Sequence, residues 1–272
     1  MSDSRPIGVF DSGIGGLSVL RALRTRLPDE NFLYLGDTAR LPYGTKSAAT
    51  VTAYALQASQ LLVKRGVKLV VIACNTASSV ALQPLAQGLA PVPLIGVVEP
   101  GARAGVAASR NRHIAIIATE GTVRGGAYQR AIHAIRPDMK ISQAACTLFV
   151  ALAEEGWIDG PIVQDAARRY LDPLFAGQAD APDTLVLGCT HFPVLAPALA
   201  QMLGPKVRLV DSAQTTADAV AAALGEKNIM NTDNGGGQVR FMVTDGPERF
   251  SRVGPTFFGA PIASDAVETI DL

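Results

Sequence analysis

The chain has 272 residues, of which 48% are hydrophobic and 18% charged, enough apolar material to bury the core of one large domain or two ordinary ones. Lys plus Arg and Asp plus Glu each total 24, so there is no basic excess of the kind that nucleic-acid binding needs. No apolar run approaches the roughly 18 residues that span a bilayer. Three cysteines are too few for a disulfide framework. We therefore expect a cytoplasmic protein with free thiols and with neither nucleic acid nor membrane as partner.

Short apolar runs alternate with helix-like segments along the chain. Runs rich in Val, Ile and Leu are typical of strands buried on both faces of a parallel sheet. The predicted strands are, in chain order, Ile7–Phe10, Phe32–Leu35, Leu69–Ala73, Leu94–Val98, Ile114–Ala118, Leu185–Leu187, Val207–Val210 and a strand-like Arg240–Thr244. The predicted helices include Leu17–Leu27, Ala48–Lys64 and Asp165–Phe175. This alternation predicts an α/β fold with mainly parallel sheets, in which ligands bind at the carboxyl ends of the strands.

The two halves of the chain repeat one pattern. Ile7–Gly16 and Ile114–Gly126 each contain a strand that breaks into a glycine-containing turn before a helix. Leu69–Thr76 and Thr184–His191 each contain an apolar strand that ends in a small residue and a cysteine. The repeat predicts two pseudo-symmetric α/β halves, residues 1–97 with 211–272 and residues 98–210, each with a cysteine at the C-terminal end of a strand.

The predicted domain boundaries follow from breaks in this pattern. Pro100 and Gly101 interrupt it, which predicts a crossing near Val97–Gly101, and the chain is expected to return near Val210–Ser212. Asn231–Gly237 has the composition of a flexible loop. We expect the tail beyond it to pack back on the first half.

Cys74 and Cys189 each follow a predicted strand and precede a candidate helix. Racemising an amino acid requires one group to remove the Cα proton and a second group to return a proton to the opposite face. A thiol can do either, because its unperturbed pKa of about 8.5 lies near cellular pH. Lowering that pKa enough to ionise the thiol needs roughly 2 kcal/mol, which a helix N-terminus can supply. The two cysteines therefore predict proton transfer on a small anionic amino acid.

Residues near the cysteines provide candidate partners for them. Asp11 ends the first strand and could assist Cys74, whereas His191 and an acidic residue in Glu154–Glu155 could assist Cys189. Short donors suited to binding an anion are Ser12, Asn75, Thr76 and Thr190. The pattern around Cys146 is not repeated elsewhere in the chain, so Cys146 is interpreted as a buried apolar residue.

Several sequence blocks in the same order carry a resemblance to a known family. They are Phe10–Leu17, Gly36–Asp37, Pro42–Gly44, Ala73–Ala77, Phe149–Gly156, Leu187–Pro193 and Val210–Ser212. With these blocks the chain resembles the glutamate racemases of the aspartate/glutamate racemase superfamily, and the resemblance covers nearly the whole chain. The family usually has a proline among the apolar residues before its glutamate, but Phe149–Ala153 has none. The assisting carboxylate is therefore Glu154 or Glu155, with Glu154 preferred.

The resemblance implies two pseudo-symmetric α/β domains with the active site in the cleft between them, together with a function and a set of roles. It implies conversion of L-glutamate to D-glutamate for peptidoglycan synthesis, with no cofactor, no metal and a homodimeric assembly. Cys74 would take the proton from D-glutamate with the help of Asp11, and Cys189 would take it from L-glutamate with the help of Glu154 and His191. The residues implied to line the substrate site are Asp11, Ser12, Pro42, Tyr43, Gly44, Asn75, Thr76, Thr119, Thr122, Thr190 and His191.

Four alternatives remain open on the sequence. A dinucleotide-dependent oxidoreductase would use Gly13–Gly16 and Asp37, although Ser18 stands where its glycine motif needs Gly or Ala. A zinc site could use Cys74, Cys189 and His191. The others are a non-catalytic ligand-binding module and a racemase whose substrate is aspartate.

Overall fold

The computed structural model describes residues 2–177, 180–233 and 235–272. Within these ranges the strands are β1 (Ile7–Asp11), β2 (Phe32–Gly36), β3 (Leu69–Ile72), β4 (Leu94–Gly96), β5 (His113–Ala118), β6 (Lys140–Ala145), β7 (Thr184–Gly188), β8 (Arg208–Asp211), β9 (Val239–Val243) and β10 (Val267–Thr269). The α-helices are α1 (Leu17–Arg26), α2 (Ala48–Lys64), α3 (Asn75–Val80), α4 (Leu82–Gly88), α5 (Val98–Ala108), α6 (Glu120–Gly125), α7 (Ala127–Ile135), α8 (Leu148–Glu154), α9 (Pro161–Phe175), α10 (Ala196–Leu203), α11 (Ser212–Glu226) and α12 (Pro247–Phe258).

The strands form two sheets in which every described pairing is parallel. The first sheet has the order β10-β9-β2-β1-β3-β4, and the second has the order β6-β5-β7-β8. Four consecutive strands of the first sheet, β2-β1-β3-β4, therefore have the same relative order as the whole second sheet. This shared order is the structural form of the sequence repeat and confirms the predicted α/β fold.

Each sheet lies between two hydrophobic clusters, which explains its apolar strands. Val9 belongs to the cluster on one face of the first sheet and Phe10 to the cluster on the other face. In the second sheet Ile117 and Ile116 divide between two clusters in the same way. Because successive side chains of a strand point to opposite faces, both faces of both sheets are buried.

The chain leaves the first sheet after β4 and reaches the second sheet through α5, and one detail of the predicted crossing was wrong. Pro100 and Gly101 do not interrupt the structure, because both lie near the start of α5. Proline is tolerated there, since the N–H groups of the first helical turn have no partner within the helix. The return follows β8, which ends at Asp211, and α11 begins at Ser212.

The tail packs on the first sheet, as predicted. β9 pairs with β2 and with β10, so the last two strands extend the sheet that contains β1. The predicted loop 231–237 includes Asn234, which lies outside the described residues. The described residues 231–233 and 235–237 belong to neither helix nor strand.

No α-helix in the described ranges combines the length and the apolar character needed to cross a bilayer.

Candidate active site

A cavity of about 270 Å³ lies at the carboxyl ends of strands from both sheets. Residues that follow β1, β3, β5 and β7 line it, together with the segment 41–45 and one side of α8. The lining residues are Ser12, Gly13, Leu41, Pro42, Tyr43, Gly44, Thr45, Cys74, Asn75, Thr76, Thr119, Thr147, Val150, Ala151, Glu154, Cys189, Thr190 and His191. Cys74 and Cys189, which come from different sheets, therefore face one cavity of a size that suits a small molecule.

Cys74 stands at the point where the chain leaves β3 and enters α3, as its N-cap. Its thiol donates a hydrogen bond to Ser12 Oγ at 3.4 Å. Burial and the nearby carboxylate of Asp11 raise the pKa of Cys74 to about 12. The raised pKa favours the neutral thiol of Cys74, the form in which it can donate a proton.

Asp11 lies directly behind this side of the cavity, at the end of β1, and is fully buried. Its Oδ2 accepts a hydrogen bond from the backbone N–H of Gly13 at 2.9 Å, whereas Oδ1 has no hydrogen-bond partner among the described residues. Burial raises the pKa of the Asp11 carboxyl group, although backbone N–H groups and His191 oppose the shift. Asp11 does not line the cavity, so it reaches a bound molecule only through its neighbours.

A chain of polar contacts surrounds Cys189. Its sulfur lies 3.8 Å from His191 Nδ1, and His191 Nε2 lies 2.9 Å from Glu154 Oε1. Arg249 on α12 completes the chain by donating to Glu154 Oε2 at 3.0 Å. Glu155 is exposed, so the structure places Glu154 and not Glu155 against the histidine.

Charge in this chain is concentrated on His191 and Glu154. Burial alone lowers the pKa of His191, but its contacts with Cys189 and Glu154 outweigh burial and raise it to about 10. Burial raises the pKa of Glu154, but His191 and Arg249 outweigh it and lower the pKa overall. At neutral pH an imidazolium therefore lies beside the sulfur of Cys189.

Cys189 differs from the prediction in one respect. An α-helix does not follow it directly, because the 3₁₀ turn Phe192–Leu195 comes before α10. The N-terminus of an α-helix is therefore absent at Cys189 in the described structure, and the positive charge next to its sulfur comes from His191.

The turn after β1 touches the segment that carries Cys189. Ser18 donates to the backbone carbonyl of Thr190 at 3.0 Å. A Cβ at Gly15 would lie 2.4 Å from His191 Nδ1 and 2.5 Å from Thr190 Oγ1. Glycine is required at position 15 because the histidine occupies the space of any side chain.

The wall formed by Pro42, Tyr43 and Gly44 is anchored by a buried carboxylate. Asp37 accepts hydrogen bonds from the hydroxyl of Tyr43, from Arg40 at 2.7 Å and from Thr244 at 3.0 Å. Because Asp37 is fully buried and bound to these groups, it is not placed to bind a ribose. The interpretation of Asp37 in the dinucleotide alternative was therefore wrong.

Three threonines meet at another side of the cavity. Thr76 Oγ1 lies 2.9 Å from Thr119 Oγ1 and 3.3 Å from Thr122 Oγ1. Thr119 and Thr76 line the cavity, whereas Thr122 lies behind them. The sequence contained a signal for this cluster, because the predicted turn after Ile114–Ala118 includes both Thr119 and Thr122.

The structure brings nearly all the sequence-predicted site residues to the cavity, and only Asp11 and Thr122 lie behind its surface. Sequence reasoning missed Gly13, Leu41, Thr45, Thr147, Val150 and Ala151. Leu41 and Thr45 flank the quoted block Pro42–Gly44, and Val150 and Ala151 precede Glu154 on α8. Adjacency to these blocks was the available signal.

Within residues 2–177, 180–233 and 235–272, no group of three or more His, Cys, Asp and Glu side chains is arranged to hold a metal ion.

Comparison with known proteins identifies the family of the chain. Residues 7–220 match the family model described as Asp/Glu/Hydantoin racemase. A glutamate racemase of Syntrophus aciditrophicus is 47% identical over 98% of this chain and 97% of its own length. One of Neisseria meningitidis is likewise 47% identical, over 98% and 97%.

Solved structures give the same result. The glutamate racemase of Francisella tularensis, solved in complex with D-glutamate, is 36% identical, with a TM-score of 0.91 over 99% of this chain and 98% of that one. The glutamate racemase of Thermus thermophilus, solved in complex with β-chloro-D-alanine, is 44% identical, with a TM-score of 0.88 over 100% and 99%. The chain therefore belongs to the Asp/Glu/Hydantoin racemase family and, within it, to the glutamate racemases.

Proposed function

We propose that this enzyme racemises glutamate by passing a proton between Cα and two thiols, Cys74 on one side of the substrate and Cys189 on the other. The observation that carries the proposal is that the two cysteines, from different sheets, line the same cavity. Two opposed acid–base groups can remove a proton from one face and return one to the other without moving the substrate.

The reaction of L-glutamate begins with Cys189 as a thiolate and Cys74 as a thiol. Cys189 takes the Cα proton into an S–H bond, and the electron pair of the broken C–H bond moves into the adjacent carboxylate. The thiol of Cys74 then gives its proton to the opposite face of Cα, which leaves D-glutamate. D-glutamate reacts by the same steps with the two cysteines exchanged.

The neighbours of each cysteine have different tasks. The imidazolium of His191 stabilises negative charge on the sulfur of Cys189, and Glu154 orients the ring through its 2.9 Å contact. Asp11 is buried near Cys74, and the pKa values of both groups are raised, so they can share a proton.

The substrate is bound mainly by neutral donors. No Lys or Arg lies among the described residues that line the cavity, so hydroxyl and amide groups, together with the imidazolium of His191, receive the two carboxylates of glutamate. The residues proposed to do so are Ser12, Tyr43, Gly44, Asn75, Thr76, Thr119, Thr190 and His191, with Pro42 shaping the wall and Asp11 and Thr122 supporting it from behind. The relatives named glutamate racemase favour glutamate over aspartate.

The wider setting is proposed on the same basis. We propose two domains, residues 1–97 with 211–272 and residues 98–210, because each range contains the strands of one sheet, apart from the last residue of β8. A cytoplasmic location agrees with the need for reduced thiols at the site. Family membership supports a homodimer and the supply of D-glutamate for peptidoglycan.

The test is to incubate purified enzyme with L-glutamate in D₂O, without any added cofactor. We expect D-glutamate that carries deuterium at Cα, because the returning proton comes from a thiol that exchanges with solvent. Chiral chromatography and proton NMR measure the two changes. If glutamate is unchanged while aspartate is racemised, the substrate assignment is wrong, and if neither amino acid exchanges at Cα, the proposed activity is wrong.

Replacing Gly15 with alanine is expected to reduce racemisation by about tenfold, since small displacements of a catalytic group are costly. The added methyl group overlaps His191 and Thr190, so the ring must move away from Cys189. Steady-state kinetics in both directions measure the loss. The matched control is Gly225→Ala in α11, because no atom of the described residues lies within 4 Å of a Cβ at that position. Equal activity in the two variants would contradict the predicted role of the close contact.

A further inference from the structure

Asn75 presents a fixed but incompletely bonded amide at the cavity. The residue lines the cavity next to Cys74, and only 3% of it is exposed. Its Oδ1 accepts a hydrogen bond of 2.8 Å from the hydroxyl of Tyr128, whereas its Nδ2 is buried without a hydrogen-bond partner among the described residues. A buried amide NH₂ without an acceptor is unfavourable unless a ligand supplies one.

Tyr128 is well placed to hold that amide. Tyr128 lies on α7, among the elements of the second sheet, and is 1% exposed. Its hydroxyl contacts Asn75 on α3, the helix that follows β3 of the first sheet. A Cβ at Gly101 would lie 3.0 Å from its hydroxyl oxygen, and a Cβ at Gly188 would lie 3.1 Å from its ring. Gly188 immediately precedes Cys189, and Gly101 belongs to the helix that leads into the second sheet.

The hydroxyl of Tyr128 also stays protonated. Burial raises the pKa of Tyr128 well above its usual value, although a hydrogen bond with Ser212 opposes the shift. The phenol therefore remains protonated and able to donate at neutral pH. Since a donor facing Asn75 fixes Oδ1 toward itself, the NH₂ group is the part of the amide that remains for another partner.

We propose that Tyr128 is a positioning residue that orients the Asn75 amide so that its NH₂ group donates to a carboxylate of the bound substrate. This inference rests on the proposed function, because glutamate supplies the acceptor that Nδ2 lacks. A pre-oriented donor binds more tightly than one that must first be ordered, so the effect of Tyr128 is exerted mainly on substrate affinity. Tyr128 itself touches neither the substrate nor the reacting atoms.

The test is a double-mutant cycle with Tyr128→Phe and Asn75→Ala. Phenylalanine keeps the packed ring and removes only the hydroxyl, so we expect KM for glutamate to rise about fivefold while kcat changes less. Asn75→Ala should raise KM at least as much. The double variant should match Asn75→Ala alone, because the hydroxyl has no task once the amide is gone.

A purely structural role for Tyr128 makes a different prediction. In that case Tyr128→Phe would lower the melting temperature, and its effect on KM would add to that of Asn75→Ala. Additive effects on KM would overturn the proposal. The matched control is Tyr170→Phe. The hydroxyl of Tyr170 accepts a hydrogen bond from the backbone N–H of Leu148, and neither residue lines the cavity. We expect Tyr170→Phe to leave KM unchanged.

Asn75→Asp provides a test that does not depend on Tyr128→Phe folding. The aspartate can still accept from Tyr128, but it presents an oxygen in place of the NH₂ group and repels a carboxylate. We expect a larger rise in KM than for Asn75→Ala, and wild-type affinity in Asn75→Asp would overturn the proposal. Failure of the proposed function is distinguishable, because wild-type enzyme would then leave glutamate undeuterated in D₂O, whatever the variants do.

Discussion

Replacement of either Cys74 or Cys189 with serine is expected to reduce glutamate racemisation by about 10²–10⁴-fold, the range for loss of a general acid or base. A serine hydroxyl is a far weaker acid than a thiol, so it neither ionises to act as the base nor donates a proton readily. Because each turnover uses one cysteine as base and the other as acid, loss of either group blocks both directions. Chiral analysis of the product from each enantiomer measures the loss.

The kcat/KM values for the two directions of racemisation are linked by the equilibrium constant. The enantiomers of glutamate have equal free energy in water, so their equilibrium constant is one and kcat/KM must be equal in the two directions for every variant. A variant that lost kcat/KM in one direction only would therefore indicate an error in the assay. The role of each cysteine has to be found by another measurement.

Solvent exchange at Cα distinguishes the two cysteines. In Cys74→Ser, Cys189 can still remove the Cα proton of L-glutamate and return deuterium to the same face, so we expect L-glutamate to exchange faster than D-glutamate. Cys189→Ser should show the opposite preference. The matched control is Cys146→Ser, because Cys146 is buried in an apolar cluster of the second sheet and does not line the cavity. Full racemisation by either cavity variant would exclude the two-thiol mechanism.

The fold and the two cysteines could be predicted because their signals are local. Apolar runs such as Leu69–Ala73 identify buried strands, and the parallel order brings the carboxyl ends of the strands to the same edge of a sheet. A cysteine directly after such a strand must therefore lie at that edge. The repeat of this pattern at Cys189 provided the second half of the site.

Other parts of the site could not be predicted because they depend on packing between distant segments. Arg249 meets Glu154 across 95 positions of the chain, and Tyr128 meets Asn75 across 53. No periodicity of the sequence records such a contact, since the packing of α12 and α7 against other elements creates it. The collision between a side chain at position 15 and His191 also becomes visible only in three dimensions.

Replacement of His191 with glutamine is expected to reduce kcat/KM by about 10²-fold, at the low end for an acid–base group. Glutamine fills part of the same space but carries no positive charge, so negative charge on the sulfur of Cys189 loses its stabilisation. Steady-state kinetics in both directions measure the reduction. His133→Gln is the matched control, because His133 contacts the carbonyl of Met139 and does not line the cavity.

His191→Gln should slow proton transfer by Cys189 and leave proton transfer by Cys74 largely unchanged. Proton transfer by Cys189 then limits the rate more strongly, so we expect a larger primary isotope effect with α-deuterated L-glutamate than with α-deuterated D-glutamate. A general loss of structure would change both isotope effects alike. Equal isotope effects for the two enantiomers, together with a large loss of activity, would contradict the assignment of His191 to Cys189.

The same variant should change how stability depends on pH. The pKa of His191 is about 10 in the folded protein, above its value of about 6.5 in an unfolded chain. The folded state therefore holds this proton more tightly, so its contribution to stability is fully present below pH of about 6.5 and is lost as pH rises through about 10. The difference in unfolding free energy between wild type and His191→Gln should fall across that range, as measured by urea denaturation at each pH. A difference independent of pH would mean that His191 is neutral in the folded enzyme, and the charge next to Cys189 would then have to come from elsewhere.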